Sequence, residues 1–496
     1  MFFHTHINII NEKFVSSKKN GKNLIPLSKI AHMNRVPLYL ATITALFLTG
    51  CTQKNISQKS NPLPQNWQGE VTIGANKLKI GFNINSLPNG KQTCTMDVPE
   101  QGAKGIPVEV LKNDNDSLNI SIATLNAAYK GCKISKENIE GIFSQNGASF
   151  PLKLNPGTAE LERPQTPLPP FAYTTKEVTF RNEADGAQLS GTLTYPVNYK
   201  KQKKGSVPIV LMVTGSGSQN RNEEMYNHKP FLVIADYLAK KGIASLRYDD
   251  RGVGKSKGTT NGTTTLNNFE DAKAGIAFIR SVGKFGRTGV LGHSEGGTIA
   301  FMLGADKSVD FIVSLAGSAA NGVDVIVGQN ASMMQLQGAP QQLIKDYTSA
   351  LRIIYKDRIE GKNITNKSQY INSLCTNNSL SLPDKLKSNL EKCITFGDEW
   401  FTWFLAYNPA EAIRKIACPT MAINGNMDMQ VLSKDNLSVI KENLPKNDKN
   451  LIKEYDALNH LFQHCTVGTA LNYGAIEETI SEEVLNDIAN WINNLR

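Results

Sequence analysis

Two hydrophobic periods divide the chain. Over residues 66–160, apolar and polar side chains alternate in short runs, among them VTIGANKLKIGFNI, LNISIATL and GIFSQNGASFPLKL, separated by turn formers such as SLPNG. A period of two marks strands with one buried face. With breaks at Asn, Gly and Pro, it predicts a small antiparallel sheet or barrel of about 90 residues. A stiff Pro-rich stretch, RPQTPLPP, lies within residues 161–174 and predicts an interdomain linker.

From residue 175 the period changes. An antiparallel opening (KEVTFRN, then LSGTLTYP) leads to unbroken apolar runs: VPIVLMVTG, IASLRYDD, TGVLGHS, FIVSLAGSA and PTMAINGNMD. Helical segments such as PFLVIADYLAKKG, NNFEDAKAGIAFIRSV, GGTIAFMLGA and SEEVLNDIANWINNL alternate with them. Strands that are apolar throughout are buried on both faces. The pattern over 175–496 therefore predicts an α/β fold, a mostly parallel sheet with helices on both sides. Between Ala319 and Ala410 the alternation gives way to mostly helical, Gln/Asn/Lys-rich sequence. An insertion of that length predicts a helical cap rather than a loop.

The first 50 residues change the expected location. After Arg35, Val36 to Leu48 is almost wholly apolar and ends in Leu48-Thr49-Gly50-Cys51. The run is short for a permanent span and fits the apolar part of a signal peptide. Its ending resembles the bacterial lipoprotein signal, in which the cysteine is acylated and becomes the new N-terminus. Cys51 is thus the expected lipidation site, residues 51–65 a polar tether, and the cell envelope, on the outer membrane, the expected location. An uncleaved anchor is the competing reading. Residues 1–32 fit no part of the scheme, and Met33 is the expected start. The net charge of +10 places five charges in the first 50 residues and spreads the rest thinly. No basic stripe is interleaved with aromatics, so no nucleic-acid partner is expected. Six further cysteines (Cys94, Cys132, Cys375, Cys393, Cys418, Cys465) fall in no zinc-like spacing, and proximity suggests pairing Cys94 with Cys132 and Cys375 with Cys393. Buried free thiols are an equal alternative.

The strongest chemical signal is Gly292-His293-Ser294-Glu295-Gly296, which follows an apolar strand and opens a helix rich in small residues. In the G-x-S-x-G pattern a tight turn lifts the serine hydroxyl to the end of a sheet while the glycines let strand and helix pack closely. A serine nucleophile needs a base. Of seven histidines, His4, His6 and His32 precede Cys51, His293 lies inside the turn, and His228 comes too early for the chain order serine, acid, histidine. His460, after the apolar segment around Leu451–Tyr455, is the favoured base, with His464 as the fallback. Asp428, just past Asn424-Gly425, is the acid expected to orient the imidazole. Backbone N–H groups of Glu295 and Ser216, the latter in the loop Thr214-Gly215-Ser216-Gly217-Ser218, are the expected oxyanion donors. Gly252-Val253-Gly254-Lys255-Ser256 imitates the end of a P-loop, but Asp249 stands where the pattern needs glycine. No nucleotide, metal or cofactor is expected.

Taken together, VTGSGSQNRNEE, YDDRGVGKS, GHSEGG, INGNMDMQV and LNHLFQ resemble bacterial α/β-hydrolases of the esterase D type, and more distantly prolyl-oligopeptidase and serine-aminopeptidase hydrolases. The resemblance covers about residues 175–496, and the β-rich N-terminal region looks like the one that esterase group carries. It implies an α/β-hydrolase fold, cofactor-free carboxylesterase activity on short acyl esters, and a triad at Ser294, Asp428 and His460. Thr214 departs from the group, where histidine is frequent. Two alternatives stand beside this reading. A related peptidase would need acids for a substrate amine, with Asp398 and Glu399 the candidates in the cap. A silent lipid-anchored binding protein would be expected to have lost a triad member.

Overall fold

The computed structural model describes residues 65–73, 76–87, 89–101 and 103–495. The expected signal peptide, Cys51 and the tether lie outside the described residues. Among those described, no helix is long and apolar enough to cross a membrane, and no cluster of His, Cys, Asp or Glu could hold a metal ion. The described chain divides into two compact units, one up to Leu161 and one from Glu162.

The first unit is a closed antiparallel barrel in which each strand pairs with the next: β1 (Asn66–Ile73), β2 (Asn76–Ser86), β3 (Gln92–Val98), β4 (Ala103–Asn113), β5 (Ser117–Ile122), β6 (Ala127–Ser135), β7 (Asn138–Gln145) and β8 (Ala148–Pro156). Trp67 opposite Pro156 closes the ring. Alternation along β5 buries Leu118, Ile120 and Ile122, and equivalent positions such as Trp67, Phe82, Met96, Tyr129 and Leu154 fill the interior. Eight strands enclose just enough space for such side chains. The Cys94–Cys132 pairing does not form: Cys94 is buried in the barrel, Cys132 is exposed, and all six described cysteines are free thiols.

The second unit is an eight-stranded sheet in the order β16-β15-β14-β13-β11-β12-β10-β9. β9 (Thr174–Arg181) and β10 (Gln188–Tyr195) form the antiparallel edge, and β10 pairs antiparallel with β12 (Ala244–Tyr248). From β12 through β11 (Ile209–Val213), β13 (Thr288–His293), β14 (Phe311–Leu315) and β15 (Thr420–Gly425) to β16 (Leu451–Tyr455), neighbours are parallel. The chain runs from β11 to β12 on one side and returns to β13 on the other, so the strand order reverses at β11. A crevice outside the carboxyl ends of such strands is the expected site of chemistry. Helices α1 (Pro230–Lys240), α2 (Thr265–Val282) and α3 (Glu295–Ala305) follow β11, β12 and β13 in turn. Two apolar clusters cover the sheet, one including Ile276 of α2 and Ile299 of α3, the other Leu238 of α1 with Ile488 of the last helix.

Between β14 and β15, helices α4 (Gly322–Leu336), α5 (Gln341–Ile359), α6 (Lys367–Asn377), α7 (Asp384–Thr395) and α8 (Glu399–Ala406) gather around their own core, which includes Tyr347, Tyr355, Leu390 and Phe401. The short α9 (Pro409–Ile413) leads back to β15, α10 (Ser433–Asn443) precedes β16, and α11 (Glu482–Asn494) ends the chain. The stretch expected to be a linker is instead held on the second unit. Arg163 donates to the carbonyls of Gly474 and Ile476, both at 2.8 Å, and Gln165 bonds the backbone of Thr479 and Ile480. The segment turns at Arg163, where the Thr166 N–H donates to the Arg163 carbonyl at 2.9 Å, a fold-back that composition alone does not reveal.

Candidate active site

The turn between β13 and α3 is built as its glycines require. A Cβ on Gly292 would lie 1.9 Å from the Gly296 carbonyl oxygen, and one on Gly296 would lie 2.1 Å from that of Val213. Strand, turn and helix thus touch backbone to backbone. Ser294 between them has φ 55° and ψ −119°, a conformation that costs a non-glycine residue on the order of 1–3 kcal/mol and persists because the surrounding packing dictates it. Ser294 is buried, and among the described residues its hydroxyl has no hydrogen-bond partner.

The loops after β15 and β16 bring Asp428 and His460 together. His460 Nδ1 lies 2.7 Å from Asp428 Oδ2, and both residues are buried. The other carboxylate oxygen, Oδ1, accepts the N–H groups of Gln430 (2.8 Å) and Val431 (2.9 Å), so the carboxylate is fixed from both ends. Next to Ser294, His293 contacts His460 directly: the rings are 4.7 Å apart and His293 Nε2 lies 2.9 Å from the His460 carbonyl oxygen. His464 is not part of this group. It is exposed and bonded to Glu478 at 2.8 Å. His228 is fully buried between the Thr479 hydroxyl and the Tyr473 carbonyl, and burial, helped by Arg163, pulls its pKa down to about 4.

The loop after β11 passes beside the turn: a Cβ on Gly215 would lie 3.2 Å from Ser294 Cβ. The Gly215 N–H is taken by Glu223 Oε1 at 2.8 Å. The N–H groups of Ser216 and Glu295 donate to no other group among the described residues. Asp250 holds the loop from behind, accepting from the Thr214 hydroxyl and the Gln219 N–H, each at 2.8 Å. Burial pushes the Asp250 pKa well up, as do the nearby carboxylates of Glu295 and Glu223, against the two hydrogen bonds it receives. Asp249 plays the same part for the P-loop look-alike. It accepts the Lys255 N–H at 3.1 Å, Arg221 grips it through Nε and Nη2, and a Cβ on Gly254 would strike its Oδ2 at 2.5 Å. The protein's own carboxylate thus braces this turn.

Sequence reasoning missed two groups here. Glu223 was unremarked within NRNEE, yet it is 1% exposed and joins the β11 loop to His293. Trp400 of α8 donates through Nε1 to Glu295 Oε1 at 2.9 Å, and the Thr265 hydroxyl donates to the same oxygen at 2.7 Å. The cap is therefore tied to the residue immediately after Ser294. A buried acid inside G-x-S-x-G was the signal available for this contact. Asp398 and Glu399 do not form an acidic pocket: both are exposed, and Asp398 caps α8 by accepting the Phe401 N–H.

Residues 185–464 match the family described as X-Pro dipeptidyl-peptidase (S15 family), a stretch that takes in the β11 loop, Ser294, Asp428 and His460. The chain belongs to this family. It is also similar to the esterase EstD of Thermotoga maritima, 24% identical over 324 residues, covering 65% of this chain and 68% of that one. Among solved structures it is similar to the esterase Pf2001 of Pyrococcus furiosus (19% identity, 65% of this chain and 93% of that one, TM-score 0.38). Est1E of Butyrivibrio proteoclasticus is a further structural relative (13% identity, 64% and 99%, TM-score 0.38). This S15-family member is a hydrolase with the α/β-hydrolase fold.

Proposed function

We propose that the chain is a serine carboxylesterase that cleaves short-chain acyl esters through Ser294, His460 and Asp428. The observation that supports the reading is the His460–Asp428 pair, at 2.7 Å, whose histidine meets the ring of His293, the chain neighbour of Ser294, itself held at positive φ at the end of a parallel strand. In this mechanism His460 Nε2 takes the Ser294 proton as Oγ attacks the ester carbonyl, and Asp428 stabilises the imidazolium. The Ser294–His460 contact closes as the substrate is engaged, as catalytic hydrogen bonds commonly do. The Ser216 and Glu295 N–H groups, uncommitted elsewhere, would hold the developing oxyanion. His460 then protonates the leaving alcohol, and water repeats the sequence on the acyl-enzyme. No cofactor is required.

The family match favours a second reading, cleavage of the amide after an Xaa-Pro pair. That chemistry uses the same triad but needs an acid for the substrate ammonium; Asp398 and Glu399 are exposed and form no pocket for it, and the buried Glu295 already accepts from Trp400 and Thr265. The esterase named among the relatives supports the first reading. We further propose attachment to the bacterial envelope through an acylated Cys51. The test is turnover of p-nitrophenyl esters of increasing chain length beside Xaa-Pro p-nitroanilide, in the wild type and the Ser294→Ala variant, with fatty-acid labelling of the full chain and its Cys51→Ala variant. Ester turnover lost on Ser294→Ala, greatest for short acyl chains, is expected. Turnover of the anilide alone would refute the ester assignment, and labelling that survives Cys51→Ala would refute the anchor.

A further inference from the structure

The ring of His293 does not face the hydroxyl of its neighbour, yet both of its nitrogens are engaged. Nδ1 lies 2.9 Å from Glu223 Oε1, and Nε2 lies 2.9 Å from the His460 carbonyl oxygen. Both partners are acceptors. A neutral imidazole carries one N–H, so beside an ionised Glu223 one of the two contacts would set lone pair against lone pair, whereas the doubly protonated ring satisfies both. Glu223 Oε1 in turn accepts the Gly215 N–H. Three segments far apart in sequence, the β11 loop, the nucleophile turn and the His460 loop, therefore meet through one buried acid and one buried histidine.

We infer that Glu223 and His293 form a buried ion pair that positions both halves of the catalytic machinery. The inference rests on the triad reading above. On one side, Glu223 occupies the Gly215 N–H, leaving Ser216, with Gly217 and Ser218 after it, among the loop's uncommitted donors. On the other, His293 pins the backbone of His460, and with it the root of the imidazole that must reach Ser294. Neither residue touches substrate, so both are positioning residues. The pair is insulated: Glu223 is 1% and His293 6% exposed. A buried carboxylate stripped of its partner is strongly disfavoured, which gives the arrangement rigidity. Burial works against a charged His293, but the Glu223 carboxylate, the His460 carbonyl and the more distant Asp428 outweigh it and raise its pKa above the usual histidine value. The other titratable groups near the pair are His460 itself and Asp250, whose burial is accompanied by repulsion from Glu223.

The test pairs a variant with a measurement on the unaltered protein. Glu223→Gln keeps an oxygen for the Gly215 N–H and removes the charge. With p-nitrophenyl acetate it is expected to lower kcat by about 10- to 100-fold, the scale of a small misplacement of catalytic groups, with KM changed by no more than about threefold. Its alkaline loss of kcat should begin at lower pH than in the wild type, because nothing then retains the second His293 proton. Histidine-selective nitrogen NMR of the wild type, assigned with His293→Gln, should show both His293 nitrogens protonated at neutral pH. A folded Glu223→Gln protein with wild-type kcat and pH profile, or a neutral His293 in the NMR spectrum, would overturn the inference. Failure of the wild type to react with a fluorophosphonate at Ser294 would overturn the triad reading and this role with it, and that failure is visible before any variant is made.

Discussion

Asp428→Asn isolates the acid's contribution with almost no change in shape. The carboxylate serves two sides at once: Oδ1 accepts two backbone N–H groups at 2.8 and 2.9 Å, and Oδ2 faces His460 Nδ1 at 2.7 Å. An asparagine amide has one accepting oxygen and one donating NH2. Turning the NH2 toward the backbone would leave two buried donors facing another donor, at about 1–3 kcal/mol each. The oxygen therefore stays on the backbone and the NH2 faces His460, whose Nδ1 must then accept and whose Nε2 carries the proton. In that tautomer His460 cannot take the Ser294 proton. Reaching the correct tautomer requires the costly flip, about 2–6 kcal/mol, and the imidazolium has also lost its anion. Together these predict a fall in kcat of about 10³- to 10⁴-fold, equivalent to about 4–5 kcal/mol. Both backbone bonds survive, so the melting temperature should move by only a few degrees, about 1 kcal/mol or less. Steady-state kinetics on p-nitrophenyl acetate, beside a thermal melt, measure both. A folded variant keeping more than about a tenth of wild-type kcat would refute the reasoning, since a tenfold loss is only about 1.4 kcal/mol.

Two further outcomes follow from the same geometry. Gly296→Ala places a methyl 2.1 Å from the Val213 carbonyl, backbone against backbone with no flexible side chain to yield, so a loss of about 3 kcal/mol or failure to fold is expected in urea denaturation. An unchanged midpoint would mean that α3 can move away from β11. The His293 pKa is raised in the folded protein, so its stabilising contribution is complete below the unfolded value of 6.5 and disappears as pH rises through the higher folded value. Unfolding midpoints should therefore fall more steeply on the alkaline side of neutrality in the wild type than in Glu223→Gln, and identical slopes would contradict the charged pair.

Much of the second unit was legible because it depends on neighbours in sequence. Unbroken apolar runs became strands buried on both faces. The spacing of Gly292 and Gly296 around Ser294 announces the tight strand–turn–helix that the structure contains. Chain order alone narrowed the histidines to His460 and His464. In the barrel, the strongly alternating β5 was plain, whereas β4 carries Gly105, Pro107 and a register shift that interrupt its pattern.

What stayed hidden was pairing across distance. Glu223 and His293 are 70 residues apart, and His293 and His460 are separated by 167. Trp400 meets Glu295 across 105 residues, and Arg163 reaches acceptors more than 300 residues on. A charge in NRNEE or a tryptophan in a cap helix has no local feature that names its partner, because a hydrogen bond depends on a separation of a few ångströms that only the closed sheet creates. For the same reason His464 matched His460 in composition and order, yet the turn following β16 sends its ring to Glu478 on the surface. Sequence by itself determined the elements, the strained turn and the short roster of reactive residues. The tertiary structure decided which of them share a buried space, because desolvation and hydrogen-bond geometry act only between groups that folding has already brought into contact.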